Sequence, residues 1–176
     1  GLNAGAGVYN NGGTVENCTI ADNDSSGTTS GTGLRQTLGS TVNTVIYGNP
    51  CGAEGDTLVE GGAFAHNFTT LEIPGAEPED GNVFGNVFYR DAENGDYRLS
   101  VGSKAVDAAT PVEGVVTDLS GVARPQGAAP DIGCYECVSG EGGLTCVFNP
   151  PDKTIFLEEG EATFTASADG ADTEGL

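Results

Sequence analysis

Two cysteines three residues apart, Cys134 and Cys137 in DIGCYEC, are the residues of this chain whose types and spacing best suit chemistry. Such a pair could ligate a soft metal or cycle between thiols and a disulfide. A zinc site would want a second C-x-x-C or a histidine pair, and neither follows. In an extended strand, side chains at i and i+3 point to opposite faces, which makes a poor metal pair. Oxygen chemistry is offered by DAENGD, where Asp91, Glu93 and Asp96 surround a glycine turn and calcium is the cation such ligands would take. The loop lacks the D-x-[DN]-x-[DN]-G spacing and the terminal Glu of a calcium-binding loop. Asp22 and Asp24 could share acid/base work on a sugar, although an acidic chain supplies such pairs freely. The single histidine, His66, has no nucleophile in a recognisable motif beside it and reads as a loop residue.

The elements that must carry these residues are short. Among 176 residues there are 29 Gly and 8 Pro, and no stretch keeps apolar residues at helical spacing, so many short strands joined by Gly, Asn and Asp turns are expected. Six Lys+Arg against 26 Asp+Glu give a formal charge of -20, a field that repels phosphate backbones and anionic headgroups. Nucleic acid is thereby excluded as a partner, and direct membrane contact is not expected, since no apolar run approaches the roughly 18 residues of a span. The opening GLNAGAGVYNNGG reads as mid-domain sequence, so the chain is expected to be part of a longer precursor.

A repeat organises the first third. Residues 7–23 and 33–49 align without gaps at an offset of 26, with five identities in 17 positions: Gly7/Gly33, Gly13/Gly39, Asn17/Asn43, Ile20/Ile46 and Asn23/Asn49. A period of this length, made of short apolar steps and turn residues, is what one coil of a parallel β-solenoid gives. Each coil would set an inward Val, Ile or Leu above its counterpart, and each asparagine would hydrogen-bond its own copy one coil away. After Asn49 the period fails, and residues 50–81 read as a long excursion. Regular character returns over 82–109. Residues 154–168 alternate as two strands joined at Gly160.

Over residues 88–136 several ordered motifs resemble the C-terminal end of bacterial secreted right-handed parallel β-helix proteins of the choice-of-anchor Q type. Phe88, Asp96, Tyr97, Arg98 and Leu99 stand in the first block, and Ser103, Ala105, Val106, Asp107 and Ala108 in the second. Asp118, Leu119, Gly121, Arg124 and Pro125 form the third, and Asp131, Ile132, Gly133, Tyr135 and Glu136 the last. Lys104, Ala109 and Cys134 replace the usual Pro, Gly and Ala. Residues 144–176 resemble the first half of a polycystic-kidney-disease (PKD) type immunoglobulin-like domain.

The resemblance implies an all-β chain: coils and cap of a parallel β-helix over 1–136, a hinge over 137–146, and the first strands of an Ig-like sandwich over 147–176. Asp107, Asp118, Arg124 and Asp131 would be structural, with Arg124 pairing with Asp118 or Asp131 to fix the capping loops. In an oxidising compartment Cys137 and Cys146 would close the hinge as a disulfide, leaving Cys134 facing the core and Cys18 at an inward coil position. The implied role is non-catalytic, a structural or adhesive part of an extracellular or bacterial cell-surface protein that contacts polysaccharide or another surface protein. Two other roles stay open. One is part of a polysaccharide lyase or glycoside hydrolase whose site lies in upstream coils, and the other is a calcium-stabilised assembly subunit.

Overall fold

The computed structural model of this chain describes residues 7–24, 32–49, 55–74, 76, 78–138, 155–157 and 160–162. They are all-β, with only two single-turn 3-10 segments, Pro78–Asp80 and Ala92–Asn94. The chain divides into two compact units, Gly1–Gly143 and Leu144–Leu176.

The first unit is built on two parallel sheets. In the first sheet, β1 (Val8–Glu16) pairs with β3 (Leu34–Val42), which pairs in turn with β5 (Thr57–Val59) and β6 (Ala63–Ala65). The second runs in the order β2 (Thr19–Ala21), β4 (Val45–Tyr47), β7 (Phe68–Thr69) and β8 (Val83–Phe84). The 26-residue offset is the strand register itself: Val8 stands beside Leu34, Thr14 beside Ser40 and Ile20 beside Ile46. A local irregularity pairs Asn11 with Leu38 before the offset returns to 26 at Thr14.

The expectation of an excursion after Asn49 is corrected. The strands continue with a shortened step, so that Leu34 stands beside Thr57, Ser40 beside Ala63 and Val45 beside Phe68. The physical reason lies in the corners, which keep their conformation while their residues change. Asn17, Asn43 and His66 occupy the same left-handed corner, at φ 49°, 51° and 52°. Gly12, Gly39 and Gly62 occupy another, and Asp22 and Gly48 a third. A Cβ at Gly39 would collide with the Gly13 carbonyl of the neighbouring strand, so that corner also needs glycine for close approach. His66 is therefore a corner residue of this array.

Asparagines stitch the levels together. Asn43 Nδ2 donates to Asn17 Oδ1 at 3.1 Å, and Asn23 Nδ2 to Asn49 Oδ1 at 2.9 Å. Two further asparagines extend the ladder. Asn67 Oδ1 accepts from Thr44 N at 2.9 Å, and Asn82 Oδ1 from Asn67 N at 3.0 Å. Each satisfies buried backbone groups where the strands bend and lose ladder partners.

One face of the second sheet meets the first sheet through Ile20, Leu34, Ile46 and Phe64. Its other face, with Val45 and Phe68, is covered by Val87, Leu99, Ala105, Ala109, Ile132 and Cys137. Burial on both faces is why Val45 and Ile46 are consecutive apolar residues, each fully buried. The covering segment includes the antiparallel pair β9 (Tyr89–Asp91) and β10 (Asp96–Leu99) and then runs without regular strands to Val138. In the second unit, β11 (Ile155–Leu157) and β12 (Gly160–Ala162) form an antiparallel pair, with Gly160 inside the second strand, opposite Leu157.

Candidate functional site

The residues singled out in the last two motif blocks converge on one guanidinium. Arg124 and Glu136 are an almost wholly buried ion pair, Nη1 to Oε1 at 2.9 Å, with side chains 2% and 0% exposed. The same Nη1 donates to the Asp131 carbonyl at 2.9 Å, and Nη2 donates to the Gly133 carbonyl at 2.6 Å. Arg124 thus closes the 131–136 loop on itself. The expected partners, Asp118 and Asp131, are corrected to Glu136: both carboxylates are already occupied by backbone N–H groups.

Asp118 Oδ1 accepts from Ser120 N and Val122 N at 2.7 and 2.8 Å, forming the turn that leads to Arg124, while its Oδ2 accepts from Glu136 N at 2.9 Å. Asp131 accepts from Asp107 N at 2.8 Å and from Cys137 N at 2.5 Å. Asp107, at a positive φ of 57°, accepts from Ala129 N at 3.1 Å. Glu136 takes Gln126 N and Asp131 N, at 2.9 and 2.8 Å, besides the guanidinium. Four carboxylates therefore tie together four stretches of irregular chain that no β-ladder could satisfy.

This knot is fastened to the sheets. Ile132 N donates to Ala105 O and Gly133 N to Asn43 O, at 2.9 and 2.8 Å. Asn43 also exchanges two hydrogen bonds with Thr110, at 2.7 and 3.0 Å. Cys134 N donates to Thr19 Oγ1 at 3.2 Å. At Gly133, φ 111°, a Cβ would stand 2.9 Å from Thr19 Oγ1 and 3.1 Å from Val45 Cγ2, so the loop lies directly on β2 and β4. The knot buries several carboxylates around one cation, and the ionised form is disfavoured at Asp131. Burial pushes its carboxyl up to about 6, reinforced by the charges of Glu136 and Asp107 and opposed by its backbone N–H bonds.

The other candidates do not converge in this way. Asp91 is held by Asn94 Nδ2 at 2.8 and 2.9 Å, and Asp96 by Arg98 at 2.6 and 2.7 Å, while Glu93 is exposed. The Arg98 hydrogen bond holds the Asp96 carboxyl below its usual range. Among the described residues no three His, Cys, Asp or Glu side chains gather into a metal-binding group. Asp22 accepts a hydrogen bond from the Tyr97 hydroxyl, at the end of an edge-to-face row of Tyr47, Tyr89 and Tyr97.

Cys137 is a buried free thiol in the core, and Cys146 lies outside the described residues. Cys134 and Cys18 belong to neither core cluster. They are half-buried and line a common cleft, so the expectation that both face inward is corrected. The glycine at 133 and the left-handed Asn17 re-aim the chain beside each cysteine, which strand alternation alone does not allow for.

Sequence reasoning named Asp107, Asp118, Arg124 and Asp131 and missed Glu136 as the ion partner, along with Asn67 and Asn82. The only available signal for Glu136 was that it is the last acid of the final motif block. No family model, curated protein or solved structure matches the chain.

Proposed function

We propose that residues 1–136 are the C-terminal coils and cap of a right-handed parallel β-helix in a secreted or surface-displayed bacterial protein, joined to a PKD-type Ig-like spacer. Their work is mechanical. The observation that carries this reading is the Arg124 knot, in which every carboxylate is consumed by backbone N–H groups or by the guanidinium. Its central carboxylates, Asp118, Asp131 and Glu136, are buried and hydrogen-bonded on both oxygens, an arrangement that suits a structural centre better than an acid/base site. It does what a cap requires: it satisfies irregular backbone while apolar side chains cover the outer face of the second sheet.

The test is Arg124→Ala. Removing one partner of a buried ion pair costs about 3–5 kcal/mol, so the melting temperature should fall by roughly 10 °C. Incubation of the wild-type chain with acidic and neutral polysaccharides should release no new reducing ends or unsaturated products. An Arg124→Ala protein that melts like wild type but loses polysaccharide binding would transfer the residue from cap to binding site.

A further inference from the structure

Cys18 and Cys134 are far apart in sequence, yet the chain around one rests on the chain around the other. Cys134 N donates to the hydroxyl of Thr19, the residue after Cys18, and Gly133, without a side chain of its own, approaches the same hydroxyl closely. Both cysteines line one cleft of about 510 Å³, whose remaining walls include Val115, Asp118 and Leu119. Cys18 Sγ donates to Glu16 O at 3.2 Å, an exposed hydrogen bond that the sulfur can exchange for another partner. Cys134 is fixed from the other side, its carbonyl accepting from Leu119 N at 2.9 Å. Burial raises both thiols above their ordinary range, and the charge of Cys134 raises Cys18 further. Cys137 does not compete, because it packs with Leu99 and Ile132 in the core.

We propose that Cys18 and Cys134 form a dithiol site that closes to a disulfide, clasping the first level of the sheets to the Arg124 knot, with a low-molecular-weight disulfide as oxidant. One protein thiolate attacks the oxidant's S–S bond, giving a protein mixed disulfide and releasing one small thiolate. The second protein thiolate then attacks the protein-bound sulfur of that mixed disulfide and releases the second small thiol. The two protein thiols surrender two protons and two electrons, and the oxidant takes them up as two thiols. Closing a loop of this length constrains the unfolded chain more than a short one would, so the oxidised form should be the more stable.

The full chain is incubated with oxidised glutathione in mildly alkaline buffer, alkylated, digested and mapped by mass spectrometry. The expected product is a peptide pair linked through Cys18 and Cys134, two hydrogens lighter than the dithiol. Its melting temperature should be higher by roughly 10 °C, with dithiothreitol reversing both changes. Cys18→Ser and Cys134→Ser should each abolish the linked pair and the shift, whereas Cys137→Ser should keep both. Three outcomes overturn the proposal: stable glutathione adducts on Cys18 or Cys134 that never resolve, links that run instead to Cys51, Cys137 or Cys146, and thiols that do not react. None of these bears on the capping role, which Arg124→Ala tests separately.

Discussion

Asp131 shows how a residue can be indispensable to geometry and yet disfavour its own charge. Its two oxygens hold Asp107 N and Cys137 N, but burial beside Glu136 lifts its carboxyl to about 6. An unfolded aspartate titrates near 3.9, so between those values the folded chain binds the extra proton. The contribution of Asp131 to stability is therefore fully present below about pH 4 and is lost as pH rises through about 6. Asp131→Asn replaces an acceptor with a donor facing a backbone N–H, so that variant should melt lower throughout. Its melting temperature should nevertheless depend less steeply on pH from 4 to 7, the difference being on the order of 2 kcal/mol. Parallel slopes for the two proteins would show that Asp131 does not titrate in this range. Sequence could place this residue in a motif. It could not choose Arg124's partner among Asp118, Asp131 and Glu136, because spacing alone does not reveal which carboxylates the backbone has already claimed.

The strand register was legible wherever side chains repeat. Val8/Leu34, Thr14/Ser40 and Ile20/Ile46 are strand partners at the offset the repeat gives. Legibility ended at Asn49 because the step shortens there and the corner passes from Asn43 to His66, with Asn67 taking the bridging role one position later. The pattern of conformations persists while the pattern of residues does not. The same elements predict where substitution is costly. Ile132 is fully buried against Val45 and Phe68, on a loop without strand hydrogen bonds. Ile132→Ala should cost about 2–5 kcal/mol, whereas Val116→Ala, at a position 69% exposed on the same covering segment, should stay within about 0.5 kcal/mol. Chemical denaturation of the two variants checks this, and equal losses would mean that the covering segment does not pack on the second sheet as a core.

At the scale of the whole molecule the governing quantity is the formal charge of -20. Among the described residues, Arg35 pairs with Glu60, Arg98 with Asp96 and Arg124 with Glu136, so cations are spent locally and the long-range field stays negative. Self-repulsion of that kind opposes compactness and is relieved by screening, whose length falls from about 10 Å at 0.1 M salt to about 3 Å at 1 M. The partly exposed Arg35 and Arg98 pairs weaken in the same salt, but surface ion pairs of this kind contribute little. Repulsion among many carboxylates should outweigh them, and the melting temperature should rise by about 5 °C on adding sodium chloride. Calcium distinguishes this diffuse effect from a site. In DAENGD, Asp91 is held by Asn94 and Asp96 by Arg98 while Glu93 is exposed, and the three carboxylates do not gather into one group. Calcium chloride should therefore stabilise no more than sodium chloride of equal ionic strength, and chelator should leave the melting curve in place. A calcium-specific rise that saturates at low concentration would show instead that Asp91, Glu93 and Asp96 abandon these partners for a cation.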